Sequence, residues 1–188
     1  MKVSSLVILG PQGSGKDTQA ELLGKKFGLI VIGAGNELRE IAKTDTKLGK
    51  KVNQTINVEG RLVEPELIVE VIENRLSKIS LDQSIVVHGF PRSLRQYELM
   101  KDSWTRLDRQ NYKVIFIDLP EEEALKRIAG RRRVDDHPEA LKKRFELFNS
   151  ETMPVVKQLE NEKKLIRIDG SPSIEKVHEE IVKKLGFK

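Results

Sequence analysis

Cysteine is absent, aromatic residues are few, and no apolar run approaches the roughly 20 residues of a membrane-spanning helix. Zero cysteines exclude disulfides and thiolate metal sites, and three histidines set far apart do not suit a zinc centre. One Trp, two Tyr and six Phe offer no broad stacking surface for bases, so nucleic acid is not the expected partner. The apolar segment after Lys2 runs straight into a glycine-rich stretch, which predicts neither a secretory signal nor a membrane anchor. The expectation is a soluble, cytoplasmic protein with no membrane partner. Internal repeats and low-complexity linkers are also missing, and 188 residues suffice for one domain with a real core, read as 1–188 and as a monomer.

What is present begins with charge. The net charge of +5 is unevenly spread: Arg127, Arg131, Arg132, Arg133 and Arg144 crowd one segment, whereas lysines elsewhere alternate with glutamates as on solvated helix faces. With nucleic acid set aside, a small polyphosphate ligand is the favoured partner for that cluster.

The stretch G-P-Q-G-S-G-K-D-T, Gly10 to Thr18, follows the apolar run Leu6-Val7-Ile8-Leu9 and precedes the helical pattern Gln19 to Leu23. An apolar strand, a glycine-rich turn and a lysine opening a helix are the pattern of a phosphate-binding P-loop. Gly10, Gly13 and Gly15 let the backbone approach an anion; the amides at the helix start, around Ser14, point at it, and Lys16 adds a positive charge. One residue departs from the pattern: Asp17 stands where Ser or Thr usually follows the lysine, with Thr18 one place further on.

Four more strand candidates follow, Leu29–Ile32, Ser84–Val87, Val114–Asp118 and Leu165–Ile168, each short and rich in β-branched residues. Helical patterns separate them, and no hairpin signal does. Gly33 to Ala42 reads as a helix, residues 43–60 as a partly exposed flap with Leu48, Val52 and Ile56 at spacing four, and Pro65 to Leu76 as a helix with proline in its first turn. Glu121, Glu122 and Glu123 suit the start of another helix, and Ile174 to Leu185 gives the last. Alternation of this kind predicts an α/β fold: a five-stranded parallel sheet with helices on both faces, with ligands beyond the carboxyl ends of the strands.

Six blocks in one order then carry a family likeness: G-P-Q-G-S-G-K-D-T-Q-A, G-A-G-N-E-L-R, G-R-L-V-E-P-E-L, H-G-F-P-R-S-L-R-Q, R-I-A-G-R-R-R-V-D-D and I-D-G-S-P-S-I-E-K-V. Together they resemble the adenylate kinases, over nearly the whole chain. The resemblance implies the P-loop kinase fold and Mg²⁺-dependent transfer of phosphoryl from ATP to AMP, giving two ADP. It implies that Gly10, Gly13, Ser14, Gly15, Lys16, Asp17, Thr18, Arg127, Arg131 and Pro172 face ATP. Ala34, Gly35, Arg39, Val63, Gly89, Arg92, Gln96, Arg133 and Arg144 would face AMP, and Lys16, Arg92, Arg131, Arg133 and Arg144 would act on the transferring group. Residues about 33–62 match the family's monophosphate-binding flap and 131–136 a short lid, in which only Val134 separates Arg133 from the paired acids Asp135 and Asp136.

Three positions complicate the likeness. Gln96 resembles the family's adenine-reading glutamine, but Ala34 replaces a usual Thr and resembles UMP/CMP kinases, which leaves a broader nucleoside monophosphate kinase open. Asn36 replaces a usual Asp and is expected to cap the flap's helix. His88 stands where the family places an aspartate that organises Mg²⁺, so a nucleotide-binding regulatory protein without transfer is the reading from another class. The reading adopted for the metal is that Asp17, Thr18 and His88 share its care through water, Asp17 and His88 lying side by side.

Overall fold

A computed structural model of the chain describes residues 5–129 and 138–187. Five strands form one parallel sheet in the order β2-β3-β1-β4-β5: β1 Ser5–Leu9, β2 Ile30–Gly33, β3 Ile85–His88, β4 Tyr112–Asp118 and β5 Leu165–Asp169. Each is an apolar run identified in the sequence, shifted at its ends by a residue or two.

The central strand β1 is buried along its whole length, and its side chains alternate between two cores. Val7 and Leu9 join Ile85 and Val87 of β3 and Val114 and Phe116 of β4 in one layer, covered by three helices: α4 (Pro65–Leu76), α5 (Leu94–Arg106) and α8 (Met153–Asn161). Leu6 and Ile8 point the other way, with Ile115 and Ile117, under α1 (Lys16–Phe27) and α9 (Ile174–Leu185). A smaller cluster of Ala124 and Ile128 from α6 (Glu121–Ala129) with Leu141 and Phe145 from α7 (Pro138–Leu147) lies apart from both. The segment read in the sequence as a flap is made of α2 (Ala34–Ala42), α3 (Lys47–Asn53) and a wide π turn at Gln54–Val58. No helix among the described residues is long and apolar enough to cross a membrane.

Two sequence expectations are corrected. Asn36 does not cap α2: Gly33 is the N-cap, in extended conformation, and Asn36 sits a turn in, where its side-chain oxygen accepts from Arg39 instead. Cap geometry belongs to the residue that leaves β2, and β2 runs one residue further than its apolar stretch, as far as Gly33. The flap is also less detached than its polarity suggests, because Val52 is 1% exposed and packs into the α4–α5 core while its neighbours stay in solvent. At the far end, Ile174 is exposed and its carbonyl takes a hydrogen bond from Gln19 of α1, so α9 enters the core only from Val177 onward.

Candidate active site

Parallel pairing places Ile8 of β1 beside His88 of β3, so the loop leaving β1 and the loop leaving β3 emerge together at one end of the sheet. The first is the glycine-rich loop. Gly13 and Gly15 hold positive φ of 86° and 84°, and a Cβ on Gly13 would lie 2.8 Å from the Ala124 carbonyl, so the loop packs flush on α6. At its end Lys16 turns its Nζ to the Pro11 carbonyl (3.3 Å), and the buried Ser14 hydroxyl has no hydrogen-bond partner among the described residues. An arched backbone over an orphaned hydroxyl and a lysine is a cradle suited to phosphate oxygens.

The second loop carries Arg92. Its Nε donates to the Gly89 carbonyl (2.8 Å) and its backbone N–H to Gln96 Oε1 (2.7 Å). Since a backbone N–H can only donate, the Gln96 oxygen is fixed toward Arg92 and its NH₂ is the end left for a ligand. Burial, then Arg144, draws the Arg92 pKa below its ordinary value; Asp17 opposes the fall and Arg39 adds to it. The guanidinium stays charged. An excess of positive charge around a partly desolvated arginine is the electrostatic condition for holding a phosphate.

One cleft collects most of the residues singled out in the sequence: Gly10, Lys16, Asp17, Ala34, Gly35, Arg39, Val63, His88, Gly89, Arg92, Gln96 and Arg144 all line it. Four arginines among the described residues line it: Arg39 from α2, Arg61 from the segment between the π turn and α4, Arg92 from the loop after β3 and Arg144 from α7. Gly13, Ser14, Gly15, Thr18, Arg127 and Pro172 do not line this cleft. Arg127 donates to the Gly170 and Ser171 carbonyls (2.9 and 2.8 Å) and so braces the loop that carries Pro172. Arg131, Arg132, Arg133, Asp135 and Asp136, the whole proposed lid, lie outside the described residues.

Asp17 and His88 are side by side, with His88 Nδ1 at 3.2 Å from Asp17 Oδ1, and Lys16 Nζ is 3.8 Å from the same carboxylate oxygen. The histidine owes its place to a glycine: Gly33 pairs with it across the sheet, and a Cβ there would meet His88 Nε2 at 2.6 Å. Among the described residues no cluster of three or more His, Asp or Glu forms a metal cage. One carboxylate beside a phosphate cradle still fits Mg²⁺, which retains waters and takes one or two carboxylates plus nucleotide phosphates. Thr18, read as a third member, is not at the cleft.

Sequence reasoning missed Gln12, Phe148 and Thr152. Gln12 lies inside the motif, and its side chain accepts from Arg144 Nη1 (3.3 Å), tying the phosphate loop to α7. Phe148 and Thr152 line the cleft from a second wide π turn, Phe148–Thr152, between α7 and α8. No local pattern marks them, since a π turn breaks the helical period from which faces are read.

The profile of the adenylate kinase family matches residues 8–164. Curated relatives named adenylate kinase align with nearly the full chain: 32% identity to that of Caldicellulosiruptor saccharolyticus (97% of this chain, 99% of the relative), 34% to that of Kosmotoga olearia (96% and 98%) and 35% to that of Prochlorococcus marinus (94% and 95%). A parallel sheet, a phosphate-binding loop and an arginine-lined cleft agree with a match of that extent, and the chain belongs to the adenylate kinase family.

Proposed function

We propose that the chain catalyses reversible, Mg²⁺-dependent transfer of the terminal phosphoryl group of ATP to AMP, giving two ADP. The observation that carries this reading is the convergence of Lys16, Arg39, Arg92 and Arg144 on one cleft from four different elements. Phosphoryl transfer needs little covalent help from a protein. It needs two phosphates held in line and cations where negative charge spreads, which such a constellation supplies.

In this reading Gly10, Gly13, Ser14, Gly15 and Lys16 hold the donor phosphates, with Thr18 beside them. Arg127 and Pro172 shape the donor side through the loop that Arg127 braces. Arg39 and Arg92 hold the acceptor phosphate, Arg144 spans toward the reacting group, and Gln96 faces the acceptor base, near Ala34, Gly35, Val63 and Gly89. The lid supplies Arg131 and Arg133, with Asp135 and Asp136 organising them, and closes with the flap to keep water from the phosphoryl group. Bound Mg²⁺ neutralises phosphate oxygens; Asp17 is the side chain that would anchor its waters, oriented by His88. The protein acts as a soluble cytoplasmic monomer.

A second acceptor range is favoured by one observation: Ala34 is 2% exposed at the first residue of α2, on the cleft wall, where it offers no hydroxyl to a base or sugar. The test is ADP formation from ATP with AMP, CMP, UMP or GMP in the presence of Mg²⁺. AMP-dependent ADP formation is expected, with weaker use of CMP or UMP. Absence of turnover with every acceptor sinks the proposal.

A further inference from the structure

Arg92 is held at three points, and only two of them are local. Gly89 and Gln96, three and four residues away, take its Nε and its backbone N–H. Its carbonyl accepts from the Thr152 hydroxyl at 3.0 Å, sixty positions along the chain. Thr152 is 5% exposed and ends the π turn that follows α7, the helix carrying Arg144. A π turn adds a residue to a helical turn, and one residue is a rotation of about 100°. The irregularity therefore decides which side chain faces the loop after β3.

We infer that Thr152 is a positioning residue of the acceptor site: its hydroxyl sets the Arg92 peptide against the helix that carries Arg144, so that the two guanidiniums keep one spacing. The inference rests on the reading that Arg92 takes the acceptor phosphate. A hydrogen bond that only stapled the loop after β3 to the π turn would lower stability when lost and leave the two substrates equally affected. A bond that aims Arg92 acts on the acceptor alone.

The test uses the full chain with Thr152→Val, which keeps the shape and removes the donor, Thr152→Ser, which keeps the donor, and Thr152→Ala in case valine does not fold. AMP and ATP are titrated separately by calorimetry, and KM for each is measured below the melting temperature. Loss of one net hydrogen bond corresponds to about a twofold to tenfold change. AMP affinity in Thr152→Val is expected to fall by that factor with ATP affinity unchanged, and Thr152→Ser to restore it. Unchanged AMP affinity, equal weakening of both nucleotides, or a serine variant no better than valine overturns the inference. Arg92→Ala separates the two levels: if it binds AMP normally, the acceptor reading falls and the inference with it, whereas weak AMP binding there beside normal binding in Thr152→Val overturns only the role of Thr152.

Discussion

His88 Nδ1 lies 3.2 Å from Asp17 Oδ1. A carboxylate can only accept, so the ring nitrogen that faces it is assigned as the donor, and the histidine lies against the one acid that lines the cleft among the described residues. Asp17→Ser and His88→Asp are each expected to raise the Mg²⁺ concentration needed for half-maximal turnover, the first by loss of the carboxylate and the second by setting two carboxylates against each other. The double variant moves a single carboxylate across the pair and is expected to recover most of the loss, which a Mg²⁺ titration of the four proteins reads as non-additivity. Additive losses would show that the two residues act independently.

Gly33→Ala places a methyl 2.6 Å from His88 Nε2 and 2.9 Å from Asn36 Nδ2. Overpacking at a buried strand end is expected to cost about 1–3 kcal/mol, and His88→Ala, by vacating the space, to remove most of that cost. Urea denaturation of the single and double variants measures the coupling.

Lys16 has a polar contact with the Pro11 carbonyl and no role in either core. Lys16→Met is expected to lower turnover by at least about a hundredfold, as loss of a charge aimed at the transition state does. Its melting temperature should stay close to that of the parent, and a folded variant with normal turnover would remove the lysine from the mechanism.

Away from the cleft, Tyr97 donates to Glu162 (2.5 Å), Tyr112 donates to Tyr97 (3.1 Å), and Lys164 lies 3.2 Å from Glu162. Burial works to raise the Glu162 pKa, but the hydrogen bonds from Tyr97, Gln158 and Lys164 outweigh it and hold the carboxyl at about 2. A carboxyl lowered in the folded state stabilises it above the ordinary value of 4.5 and loses that contribution as pH falls toward about 2. Tyr97→Phe is expected to cost about 1–2 kcal/mol at neutral pH and progressively less below pH 4.5. Urea midpoints at pH 7, 4 and 2.5 follow the convergence, and a constant gap across that range would refute the linkage.

Ala34→Thr adds a hydroxyl to the wall of the cleft at the first residue of α2. It is expected to reduce CMP and UMP use relative to AMP by about tenfold, the scale of one differential contact. Ratios of kcat/KM decide it, and an unaltered ratio would make Ala34 neutral packing.

Much of this protein is written locally. Five β-branched runs and the spacing of Gly10, Gly13, Gly15 and Lys16 determine by themselves a parallel sheet ending in a phosphate cradle, because strand period and glycine geometry are properties of neighbouring residues. Arg39, Arg92 and Arg144 are singled out through the likeness to the adenylate kinases, not through period or glycine geometry. Tertiary structure alone decided that Gly33 rather than Asn36 caps α2, that Val52 belongs to the core, that Gly33 makes room for His88, and that Thr152 reaches the Arg92 carbonyl. Those relations join residues brought together by strand register and by a π turn, and a hydrogen bond across sixty positions leaves no period in the chain that forms it.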